Sequence, residues 1–87
     1  MIKPEPSRHV HFIPWTGSDG LLAGTSYAGI IAHVHSDRMV NLMVIDSNGA
    51  PVPKTSVPLV QPEDETPTGY DYCRWMPYTT EQAKKQQ

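Results

Sequence analysis

Cysteine is nearly missing from this sequence: Cys73 is the single one in 87 residues, so no intrachain disulfide can form. The fold must hold on packing and hydrogen bonds alone, and a reducing compartment is the expectation. Long apolar runs are missing too. None approaches the ~20 residues that cross a bilayer as a helix, and the first ten residues, MIKPEPSRHV, hold no apolar stretch of the signal-peptide kind. The chain is therefore expected to be intracellular, with no membrane partner. Charge of one sign is not in excess, since seven Lys and Arg stand against nine Asp and Glu. A binder of duplex nucleic acid needs a basic stripe to release counterions, so duplex is a poor partner here. No Gly-x-Ser-x-Gly elbow is present. The glycines at 17, 20 and 24 lack the lysine and following helix that would complete a phosphate-binding loop. These gaps argue against an enzyme, and no cofactor is expected.

What the sequence does hold is punctuation. Nine prolines and six glycines are spread along the chain and separate short apolar runs, the pattern of strands and turns. His9–Ile13 alternates, with Val10 and Phe12 on one side and His9, His11 and Ile13 on the other. Pro14 ends it. Trp15–Tyr27 keeps no period and reads as a long loop, of a length typical of functional or disordered segments. Ala28–Ser36 is a second strand, with Ile30, Ala32 and Val34 facing one way and Ile31, His33 and His35 the other. Met39–Asp46 follows a tight reversal at Ser36–Arg38. Asp46–Gly49 predicts a hairpin turn, Asn48–Gly49 supplying the positive-φ positions. Ala50–Val60 is β-prone, but Pro51, Pro53 and Pro58 cannot donate to a ladder, so this strand is expected at an edge or broken. Gln61–Gly69 is a polar loop, and Tyr70–Met76 alternates as a fifth strand.

One domain fits this length. Residues 1–8 read as an extended arm, 9–78 as the domain and 79–87 as a polar tail. Five short strands with a long first loop and tight later hairpins predict an all-β fold, a small five-stranded antiparallel barrel of Src-homology-3-like type. An oligonucleotide-binding-type barrel is the alternative. So thin a core makes a homo-oligomer a reasonable expectation.

The stretch AGIIAHVHSDRMVNLMVIDSNGAPVPKTSVPLV, followed by CRWMPY, resembles a group of small proteins of tailed bacteriophages and prophages. That group carries an "AAIVxxV" strand, a "VNLxVxDxxG" strand and turn, a "TSV" segment and a terminal "WxxP". Here they stand at Ala28–Val34, Val40–Gly49, Thr55–Val57 and Trp75–Pro77. The long loop at Trp15–Tyr27 and the acidic loop depart from the pattern. The resemblance implies a phage origin and a small β fold, and carries no catalytic residue across.

Two constellations invite a function. All four histidines lie in two HVH triplets, at His9–His11 and His33–His35. Residues two apart on a strand share a face, so neutral imidazoles from both triplets could hold a metal if the strands paired in register. Solvent-facing or interface contacts are the plainer reading. The second constellation is aromatic. Trp15, Tyr27, Tyr70, Tyr72 and Tyr78, with Arg38 and Arg74, could meet on one side of a small barrel as a binding surface, since these residue types dominate binding hot spots. Arg8 is a further candidate for an anion contact. Cys73 alternates away from Arg74 and reads as a buried, inert thiol.

The expected function is a non-enzymatic phage accessory module. It would inhibit or sequester a host factor in the host cytoplasm, either a protein or a small anionic ligand such as a signalling nucleotide. The alternative is a structural component of the virion, in a decoration, neck or tail.

Overall fold

A computed structural model of the chain describes residues 1–77 and Thr79. Tyr78 and the tail from residue 80 lie outside the described residues. Five strands close into a barrel: β1 (His9–Ile13), β2 (Tyr27–Ser36), β3 (Met39–Ile45), β4 (Pro51–Val60) and β5 (Tyr72–Trp75). Each strand pairs with the next in sequence, and β5 closes the barrel onto β1. Among the described residues no helix is long and apolar enough to cross a membrane.

Four pairings are antiparallel, but β4 and β5 run parallel over Leu59–Val60 and Cys73–Arg74. This corrects the expectation of a wholly antiparallel barrel. The loop 61–71 carries the chain back along the barrel before β5 begins, as a parallel pairing requires. The strand is shorter than Tyr70–Met76 for the same reason, its first residues belonging to that loop.

The core is the inward row of each strand: Val10 and Phe12, Ile31, Val40, Leu42 and Val44, Val57 and Leu59, Cys73 and Trp75. Gly29 lies in the same layer. A Cβ there would stand 3.5 Å from the Val10 side chain and 3.6 Å from Leu42, so the glycine leaves its space to both neighbours.

The single alternation expected along β2, with Ile30, Ala32 and Val34 on one face and Ile31, His33 and His35 on the other, is broken. Ile31 is buried and Ala32 exposed, because β2 gains one residue on β3 between Ile31 and His33 and another between Val34 and Ser36. An extra residue flips the alternation, so Ile31 and Val34 both turn toward the core across the first bulge. β4 carries a third irregularity between its partners of Val40 and Leu42, where Ser56 adopts φ 53°. Asn41 on β3 serves this bulge: its Oδ1 accepts the Ser56 N–H at 2.8 Å and lies 2.9 Å from His35 Nε2, which donates to it.

The prolines of β4 do not break it. On the β3 side the Ala50 carbonyl accepts the Asp46 N–H and the Leu59 N–H donates to the Arg38 carbonyl, each at 3.0 Å. Alternation then turns the nitrogens of Pro51, Pro53 and Pro58 away from β3, where a donor is dispensable. In the turn before β4, Asp46 Oδ1 accepts the N–H groups of Asn48 and Ala50 at 2.9 and 2.8 Å, and only Gly49 takes positive φ, at 84°.

The segments read from the sequence as an extended arm and a long loop are both fastened to the barrel. The arm docks, with Pro4 buried and Ile2 against the core. Gln61 holds it: Nε2 donates to the carbonyls of Ile2 and Asp37 at 2.9 and 2.8 Å, while Oε1 accepts from Ile2 N–H and the Trp75 indole at 2.9 and 3.1 Å. The long loop is anchored by Leu21, which is 2 % exposed and belongs to the core.

Candidate functional site

The site is built where two loops fold over an outward pair of strand residues. Ile13 on β1 and Tyr72 on β5 are paired neighbours on the barrel's outer side. By strand alternation both should be wet, yet both are buried. The loop after β1 and the loop before β5 cover them, leaving a groove of about 470 Å³. Pro14, Trp15, Ala23 and Gly24 form one wall and Thr66, Pro67 and Thr68 the other. The Trp15 N–H donates to Asp71 Oδ1 at 2.7 Å, which ties one loop to the other. Gly24 closes its loop by donating to the Pro14 carbonyl at 2.9 Å, in a φ of 74° that suits glycine. The backbone of Trp15 is thus fixed, while its side chain stays 49 % exposed at the groove's edge.

Two further grooves continue around the 61–71 loop. One, of about 360 Å³, lies between Tyr70, Phe12 and the Lys54–Pro58 stretch. The other, of about 290 Å³, is bounded by Arg38, Val60, Asp64 and Tyr70. Pro67 borders the first and the last, and Tyr70 the last two. The three form one corrugated, largely apolar surface.

Electrostatics around it are internally settled. Arg38 donates through Nε and Nη2 to the two oxygens of Asp64 at 2.9 and 3.0 Å, and reaches Glu63 at 3.5 Å. The guanidinium, with the Gln61 N–H, holds the Asp64 carboxyl below the usual carboxylate range; the Asp64 hydrogen bond in turn raises Arg38. Lys54 Nζ sits 5.9 Å from the Phe12 ring centroid and pairs with Asp19 at 2.9 Å.

The aromatic constellation is brought together only in part. Trp15 and Tyr72 share the main groove, and Tyr70 lines the two beside it. Tyr27 is not a surface residue: it is 6 % exposed, in the core, and its hydroxyl accepts the Leu22 N–H at 2.8 Å. It lies on the inward row because it pairs with Phe12. Arg38 borders a groove but is engaged by two carboxylates. Arg74 lies opposite His11 on the outer face of β5, and Arg8 rests 5.4 Å from the Trp75 ring centroid. Tyr78 lies outside the described residues. Sequence reasoning missed the Thr66–Thr68 wall, which sits in a polar loop with no period to mark it, and Asp71, which was read into the fifth strand but belongs to the loop before it.

The two HVH triplets are not in register. His9 pairs with Ile30 and His11 with Ala28, so even His33 lies three residues beyond the partner of His9, or roughly 10 Å along β2. Among the described residues no group of three or more His, Cys, Asp or Glu could hold a metal ion. His33 and His35 do meet each other edge to face, at 4.8 Å between centroids. Cys73 is buried, and desolvation pushes its thiol up to about 12, which removes the thiolate that a nucleophile needs.

Compared with known proteins, the chain matches no family model, no curated protein and no solved structure.

Proposed function

We propose that this protein is a non-enzymatic binding module of phage origin that occupies a host protein through the groove beside Trp15. One observation carries the reading: a tryptophan with a fixed backbone and a half-exposed indole stands over an apolar groove floored by Ile13 and Tyr72. A rigid aromatic at the rim of a preformed apolar groove loses little entropy on binding, which is the character of an interface anchor. A protein segment suits the site better than a small anion. Arg38 is neutralised by Asp64 and Glu63, and neither Arg8 nor Arg74 lines the groove. The phage origin rests on the resemblance of residues 28–77 to small phage proteins.

The test is photo-crosslinking from a benzophenone side chain placed at position 15, in infected cells, beside affinity capture with wild type and Trp15→Ala. The reading expects one host protein to crosslink at position 15 and to be lost from the Trp15→Ala capture, with unchanged thermal melting. A partner held equally by both proteins removes the groove from the interaction. Recovery of the chain in purified particles at fixed stoichiometry would replace this reading with the virion role.

A further inference from the structure

The two HVH triplets are identical in sequence but not in setting. On β1 the pairing runs without a break, so His9 and His11 stand two residues apart on a regular strand. His11 also lies opposite Arg74, a fixed cation. On β2 the register slips between Val34 and Ser36, which leaves His35 as the extra residue of a bulge. Bulges re-aim side chains. Here the exposed His33 and His35 rings stand 4.8 Å apart between centroids, at 75° to each other.

Hydrogen bonds decide what His35 can offer. Asn41 Oδ1 accepts the Ser56 N–H at 2.8 Å, so the atom there is the amide oxygen and has no proton to give. His35 Nε2, 2.9 Å from the same oxygen, therefore carries the proton. The lone pair of the neutral ring is then on Nδ1, open to a ligand bond. A carbonyl held behind one ring nitrogen is the way metal-binding imidazoles are oriented. His33 pairs with Asn41 across the strands, is exposed, and has no hydrogen bond to a described residue, so its ring can turn toward His35.

We infer that His33 and His35 together bind one divalent transition-metal ion through their imidazoles, with water in the remaining positions. Spacing supports this. Metal–nitrogen bonds of about 2.0–2.1 Å set the ring centres of two neighbouring imidazole ligands roughly 4.5–5.2 Å apart, the range in which this pair stands. Charge permits it, because Arg38, the nearest cation along the chain, is engaged by Asp64 and Glu63. No third His, Cys, Asp or Glu among the described residues joins the pair. Two protein ligands are fewer than a structural zinc site holds, so the ion exchanges with solvent. Cu(II) is held most tightly, as its place in the Irving–Williams order requires.

Calorimetric titration of the full chain with Cu(II) tests this, on protein made without an affinity tag, beside electron paramagnetic resonance of the loaded protein. Wild type is expected to take one Cu(II) per chain, with nitrogen couplings from two imidazoles. His33→Ala and His35→Ala should each weaken binding at least about tenfold. His33→Gln and His35→Gln are read in place of any alanine variant that no longer melts cooperatively. The double variant His9→Ala, His11→Ala should bind Cu(II) as wild type does, and wild type should hold Zn(II) more weakly than Cu(II). Trp15→Ala is also expected to bind copper as wild type, so this inference and the groove reading fail separately. Wild type that takes up no Cu(II) overturns the proposal, as does an affinity unmoved by loss of His33 or of His35. Copper lost equally from the His9, His11 variant would make the ion a ligand of surface histidines in general, and overturns it too.

Discussion

The indole N–H of Trp75 donates to Oε1 of Gln61 at 3.1 Å, inside the barrel wall. Trp75 is a core residue of the last strand, and Gln61 is the first residue after β4. Through the remaining atoms of one amide the same glutamine holds the arm at Ile2 and the β2–β3 turn at Asp37. Gln61 is 1 % exposed, and among the described residues no buried side-chain nitrogen or oxygen lacks a partner.

Removing that amide leaves four groups without partners at once. Gln61→Ala is expected to destabilise the fold by about 3 kcal/mol, more than a typical single hydrogen bond contributes, because four groups are stranded together, the Trp75 indole N–H in the core and the three backbone groups partly buried. Urea unfolding measures it. A loss below about 1 kcal/mol would show that water replaces the amide freely.

Leu21 is the anchor by which the long loop reaches the core. Leu21→Ala should cost about 2–4 kcal/mol, the ordinary range for a buried leucine. The loop that carries Trp15 should loosen with it, so hydrogen exchange at residues 15–24 should rise more than at β3. Uniform exchange across the protein would contradict the anchoring role.

Acid should act through Asp64. Its carboxyl is held below the ordinary range when folded, so the unfolded chain takes up a proton first as pH falls. The stabilisation is therefore present above the unfolded carboxyl pKa of about 3.9 and is lost as pH drops through the lower folded value. Asp64→Asn should flatten the fall in melting temperature across that window. An unaltered slope would assign acid sensitivity to other carboxylates.

Cys73 titrates in the opposite sense. Burial lifts its thiol to about 12, so the folded state keeps it protonated while the unfolded chain ionises at about 8.5. Its contribution to stability is intact below that unfolded value and falls away as pH rises toward the folded one. Ellman's reagent at neutral pH is expected to label the thiol only after unfolding, at the rate at which urea opens the barrel. Rapid labelling of native protein would place Cys73 at the surface.

Period and punctuation determined a good deal without coordinates. Alternation in His9–Ile13 set Val10 and Phe12 together on one face, because a strand with one dry face must repeat every two residues. Pro and Gly marked the ends, and five such runs imply a small β fold. Tertiary structure alone decided three other matters. The bulges of β2 shifted which residues face the core, since one extra residue leaves no trace in hydropathy. Loops folding back buried Ile13 and Tyr72 on a face that alternation leaves wet, making a groove from residues far apart in sequence. Gln61 became the centre of the wall because four unpaired backbone and indole groups converge there. Polar composition marks such a residue as loop, and only the partners it finds make it core.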